Sequence, residues 1–141
     1  MTKVVVDASA ALAWVLTSQR TPQSVAFLAE DVERSLCAPY ILLWEMRNVL
    51  IGLERRGLLG ADEHVAALEL LDDFEIDIGP APSDAALLLL SEQARRRGLS
   101  LFDASYLQLA IDLDCAIATR DAALVRAARD AGVACYDFLG V

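Results

Sequence analysis

Val4-Val5-Val6 is a β-branched run without polar alternation, as expected of a short strand buried on both faces in the middle of a parallel sheet. An Ala-rich stretch follows and predicts a helix over 8–16, so Asp7 falls in the strand-to-helix turn. After the polar break Thr17-Ser18-Gln19-Arg20, Pro22 suits a first helical turn, and Val25, Phe27, Leu28 and Val32 predict a helix over 24–34. A weak strand at 35–38 ends at Pro39. A long helix over 40–56 ends at Gly57 and forms a hairpin with a second helix over 62–74. Residues 75–78 alternate like a strand before the Gly79-Pro80-Ala81-Pro82 break. Helices over 83–97, 100–113 and 121–131 alternate with strands at 115–119 and 133–136. About five strands interleaved with helices imply one α/β domain over residues 1–141, a parallel sheet covered on both faces.

Composition narrows the function classes. The hydrophobic share is 56%, much of it Ala, yet no apolar run approaches the roughly 18 residues of a membrane span. Asp7 interrupts the N-terminal apolar run before a secretory segment can form, so a cytoplasmic protein without membrane contact is expected. Cys37, Cys115 and Cys135 are widely spaced and read as buried reduced thiols in strands. His64, the only histidine, reads as a solvated residue near a helix start, which leaves a zinc site or a Ser-His-Asp triad little to draw on. A net charge of −9 argues against a broad basic nucleic-acid face. Arg55-Arg56 and Arg95-Arg96-Arg97 fit either local phosphate contacts or solvated helix ends.

The candidate chemistry lies in four carboxylates. Asp7 and Asp121 both follow strands at the sheet edge where the loops of an open α/β fold converge. Glu45 falls on a helix stripe with Ile41, Leu42 and Val49, where no basic residue compensates it, and Asn48 is polar on nearly the same side. Asp103 heads a stripe formed by Tyr106, Leu107 and Ala110. Each acid also has a bland reading: Asp7 and Asp121 as helix caps, Asp103 as part of a Ser-x-x-Asp capping box with Ser100. Taken together, with no His or Cys nearby, they describe a hard-cation site of Mg²⁺ or Mn²⁺ type, suited to phosphodiester attack by metal-activated water. The alternative is a non-catalytic α/β binding module whose acids are caps. Aspartyl-phosphate chemistry fits poorly: Ser9 stands where a haloacid dehalogenase needs its second Asp, and Lys3 is the sole lysine a receiver domain would need late in the chain.

The segments Val4-Val5-Val6-Asp7-Ala8-Ser9, Trp44-Glu45-Met46-Arg47-Asn48-Val49-Leu50, Leu101-Phe102-Asp103-Ala104-Ser105-Tyr106 and Ala118-Thr119-Arg120-Asp121 resemble the four motifs of a PIN domain in order and spacing, across essentially the whole chain. In size the chain is similar to VapC-type toxins of type II toxin–antitoxin pairs. The resemblance implies strand order 3-2-1-4-5 and an Mg²⁺- or Mn²⁺-dependent endoribonuclease that cuts single-stranded RNA. It implies that Asp7, Glu45, Asp103 and Asp121 hold the metal and carry catalysis, with Ser9, Asn48 and Thr119 supporting them. It also implies a homodimer held inactive by a small cognate antitoxin.

Overall fold

Val4, Val5 and Val6 have no solvent exposure in the computed structural model of the chain, which describes residues 1–139. Gly140 and Val141, the end of the expected 1–141 domain, lie outside the described residues. The elements run β1 (Thr2–Val6), α1 (Ala8–Val15), α2 (Pro22–Ala29), β2 (Arg34–Ala38), α3 (Ile41–Arg55) and α4 (Ala61–Asp73). They continue as β3 (Asp77–Ile78), α5 (Asp84–Arg97), α6 (Leu101–Leu113), β4 (Ala116–Thr119), α7 (Ala122–Asp130) and β5 (Cys135–Asp137), with a 3₁₀ turn at Thr17–Gln19 after α1. All five strands are parallel in the order β3-β2-β1-β4-β5. The connections therefore reverse direction on either side of β1, and the loops leaving β1 and β4 open at the same sheet edge.

Small residues let α1 lie close on the sheet: Ala8, Ala10, Ala11 and Ala13 are all buried. Trp14 closes that layer, its ring centroid 5.4 Å from Phe27, 5.2 Å from Phe74 and 5.7 Å from Phe138. Its indole N–H donates to the Ser24 carbonyl at 3.1 Å, so the large ring is buried without orphaning its polar atom. On α3 the buried stripe is Leu42, Met46 and Leu50.

The expected helix over 24–34 is corrected. It begins at Pro22 behind a Thr21–Ser24 capping box and ends at Ala29. Val25, Leu28 and Val32 are about half exposed, leaving Phe27 as its buried apolar anchor. Arg34 explains the early stop. Its guanidinium donates to the Phe27 carbonyl at 2.9 Å, pairs with Glu30 and stacks on Phe27 at 3.9 Å, drawing the chain back into β2. The edge strands also differ. Glu75, at φ 50, breaks the backbone, and only Asp77–Ile78 pairs as β3. Gly132, at φ 72, extends the turn after α7, so β5 starts at Cys135 instead of 133. Of the three free cysteines, only Cys37 is fully buried; Cys115 and Cys135 are half-buried, and Cys115 lies just before β4. His64 is only partly solvated: its side chain is 18% exposed and meets Glu54 of α3 at 3.0 Å across the α3–α4 hairpin.

Candidate active site

Asp7 is the deepest of the four acids, with 3% of its surface exposed at the end of β1. Its Oδ1 accepts from the Ala10 amide and the Ser9 hydroxyl, each at 2.8 Å, and its Oδ2 accepts from the Thr119 hydroxyl at 2.5 Å. The first bond makes Asp7 the N-cap of α1, so the capping reading is correct as far as it goes. Capping does not explain the rest. Burial pushes the carboxyl up to about 6 even though three hydrogen bonds pull it down, and Asp103 adds repulsion. The bonds leave a charge that the surroundings still disfavour.

Thr119 and Ser9 form the frame beneath this carboxylate. Thr119 has no exposed surface; besides its bond to Asp7, its hydroxyl oxygen accepts from the Asp121 amide at 3.0 Å and lies 3.3 Å from Ser9 Oγ. Ser9 Oγ also accepts from the Arg120 amide at 2.7 Å. The ends of β1 and β4 are thus tied together through two hydroxyls.

Asp103 sits in the first turn of α6, half-buried. Its backbone amide donates to Ser100 Oγ at 3.1 Å, one half of the expected capping box, and hydrogen bonding from the Ser100 side chain also pulls the Asp103 carboxyl down. The side chain also faces other acids. Burial comes first and repulsion from Asp121 and Glu45 next, and together they raise Asp103 to about 6. Asp121 caps α7 by accepting from the Ala123 amide at 2.9 Å.

Glu45 is half-buried at the margin of the α3 stripe. Its compensation comes from a neighbouring helix: the Tyr106 hydroxyl donates to Oε1 at 2.7 Å, from a ring that is 1% exposed. Burial raises the Glu45 carboxyl, and this bond only partly offsets it. The carboxylate raises the Tyr106 phenol in turn, after burial. Sequence reasoning placed Tyr106 on the inward stripe of Asp103 without seeing this partnership. Its one legible signal is that Tyr106 and Asp103 share a face of α6. Asn48 stands exposed one turn beyond Glu45, and no hydrogen bond joins it to any of the acids.

The donor set is all oxygen, and no cation relieves Asp7, Glu45 or Asp103 among the described residues. That chemistry fits a hard divalent ion. The arrangement itself is open: among the described residues no three acidic, histidine or cysteine side chains stand close enough together to hold an ion unaided. An apolar cavity of about 510 Å³ lies elsewhere, between α5 and α6, where Leu87, Leu89, Leu90, Leu101 and Phe102 line it and none of the four acids does.

The PIN domain family profile matches residues 4–130. A VapC ribonuclease of Mycobacterium bovis, Mb0985, and the ribonuclease VapC9 of Mycobacterium tuberculosis are each 35% identical over 118 residues, spanning 84% of this chain and 85% of theirs. Among solved structures, PAE2754 from Pyrobaculum aerophilum superposes with a TM-score of 0.67 at 22% identity, covering 96% of this chain and 90% of that one. FitAcB from Neisseria gonorrhoeae gives 0.63 at 19% identity, covering 98% and 99%. At such identities the two structures speak to the fold alone.

Proposed function

The chain belongs to the PIN-domain family and is of VapC type, and from that premise we propose that it is the toxin of a toxin–antitoxin pair, a divalent-metal-dependent endoribonuclease cutting single-stranded RNA. The observation that carries this reading is Asp103. Ser100 eases its charge, yet burial and the fields of Asp121 and Glu45 together outweigh that and raise its carboxyl. A binding module with acids used only as caps has no need of such a residue.

Asp7, Glu45, Asp103 and Asp121 would hold the ion, Mg²⁺ or Mn²⁺. When bound, it supplies charge neutralisation at the phosphate and activation of water. The chain's own residues prepare for this. Ser9 and Thr119 donate to Asp7 and fix which way its oxygens face. Tyr106 holds Glu45 by one oxygen and leaves the other without a protein donor. Asn48, exposed one turn beyond Glu45 on the same helix, would support the site from that side. Since no three acids already converge, substrate phosphate is read as completing the site. Acidic walls repel RNA until cations intervene, and a splayed single strand enters such a groove more readily than a duplex.

The same reading includes partners and place: a small cognate antitoxin, a homodimer, and the cytoplasm. No helix among the described residues is long and apolar enough to cross a membrane. Leu88 and Leu89 on α5 and Phe102 on α6 are 64%, 63% and 47% exposed, an apolar surface that a second copy would cover. The activity is tested by incubating the purified chain and Asp103→Asn with a labelled single-stranded RNA in Mg²⁺. The wild type cuts internally, the variant is at least about a hundredfold slower, and duplex RNA stays intact. Equal cleavage by both proteins would refute the assignment.

A further inference from the structure

Arg120 precedes Asp121 on the loop between β4 and α7, and its charge is left without a counter-charge. Its backbone amide donates to Ser9 Oγ, which donates to Asp7, so the residue is fixed relative to the deepest acid. The side chain reaches the other way: Nη1 donates to the Gln19 side-chain oxygen in the 3₁₀ turn after α1, and Nε is buried with no hydrogen-bond partner. The ion pairs among the described residues are Arg34–Glu30, His64–Glu54 and Arg129–Asp137; none includes Arg120.

Arg34 is the instructive contrast, since its Nε is also buried and unpartnered. That guanidinium is neutralised by Glu30 at 2.6 Å and stacked on Phe27 at 3.9 Å, a structural arrangement complete in itself. Arg120 has neither a carboxylate nor an aromatic face. An amide oxygen orients a guanidinium but does not neutralise it. Half-burying an uncompensated cation costs stability, and a neutral side chain would join Gln19 to this loop equally well. In a chain with 21 acidic and 12 basic residues, a cation kept from every carboxylate beside the acidic edge is poised for an external anion.

We propose that Arg120 binds a backbone phosphate of the RNA next to the one being cut, with Gln19 holding the guanidinium in its orientation. The inference rests on the ribonuclease reading above. The neighbouring phosphate is assigned because the side chain reaches away from Ser9 and Asp7 to Gln19 in the 3₁₀ turn, so its charge lies off the reacting centre. The Nη2 end bonds to no described residue and remains for a phosphate oxygen.

Binding of a labelled single-stranded RNA, measured by anisotropy across a salt series, tests this in full-length Asp103→Asn protein, where the RNA stays uncut. Adding Arg120→Gln, which keeps a polar partner for Gln19, should weaken binding about tenfold at low salt. It should also flatten the slope of log affinity against log salt by about 0.7, one phosphate contact on a single strand. Parental binding with an unchanged slope in Arg120→Gln overturns the inference alone. A wild type that cuts no RNA in Mg²⁺ overturns the ribonuclease reading and the inference with it. Should Arg120→Gln fail to fold, Arg120→Lys decides: the slope persists, but affinity falls severalfold because an ammonium lacks the planar fork. Unchanged affinity in that variant overturns the proposal.

Discussion

Asp7→Asn should make the protein more stable while disabling it, and the size of the effect follows from the site. Burial raises this carboxyl from 3.8 to about 6. At about 1.36 kcal/mol per pH unit, ionised Asp7 costs the folded chain about 3 kcal/mol once the pH exceeds both values. The sign is that of a raised acid: stability is fully present below 3.8 and is lost as pH rises through about 6. Asn retains the oxygen that accepts from Ala10 and Ser9 and is a favoured N-cap. Its amide cannot accept from Thr119, which forfeits about 1–2 kcal/mol. The net gain is about 1–2 kcal/mol at pH 7.5, or roughly 3–6 °C in Tm for a domain of this size. Thermal melts in chelator from pH 4 to 8 should show Asp7→Asn melting below the wild type near pH 4, where only the lost Thr119 bond counts, the order reversing as pH rises to 6 and the gap constant beyond. If Asp7→Asn melts at or below the wild type at pH 7.5, Asp7 is a cap whose charge the fold welcomes, and the argument from strain fails.

Two further substitutions probe the supports of the site and of the fold. Tyr106→Phe removes the hydroxyl donor to Glu45 and should lower stability at pH 7 by about 1–2 kcal/mol in a denaturant melt, with a smaller loss in acid, where Glu45 is neutral; an unchanged midpoint would mean the bond contributes nothing. Trp14→Ala opens a hole among Phe27, Phe74 and Phe138 and should cost about 3–5 kcal/mol, read as a Tm lower by roughly 10 °C or more.

What could be read from the sequence divides along physical lines. Val4-Val5-Val6 and the Ala-rich helix after it declare themselves because a central parallel strand and a close-packed helix each demand a local composition. The address of Asp7 and Asp121 follows from strand-to-helix order alone, and Glu45 stands out as a charge beside an apolar stripe. Contacts between distant segments are another matter. Arg34 truncates α2 by reaching back to Phe27, Glu54 draws His64 into the α3–α4 hairpin, and Tyr106 answers Glu45 across sixty-one positions. None of these leaves a periodic trace. The edge strands misled for a related reason: β3 and β5 are short, and Glu75 at positive φ and Gly132 set where pairing begins, not hydrophobic alternation. Asn48 shows the limit of a helical wheel, which gives a side but not whether anything waits there.

The ends left on cleaved RNA test the central claim most directly. Water attack that displaces the 3′-oxygen leaves a 5′-phosphate and a 3′-hydroxyl, whereas a ribonuclease using the RNA's own 2′-hydroxyl leaves a 2′,3′-cyclic phosphate. Cleavage by the purified chain in Mg²⁺ or Mn²⁺, followed by ligation-based end mapping, should give 5′-phosphates throughout, and a matched reaction in excess EDTA should give no products. Cyclic phosphate ends, or undiminished cleavage in EDTA, would contradict a site built from four carboxylates around a divalent ion.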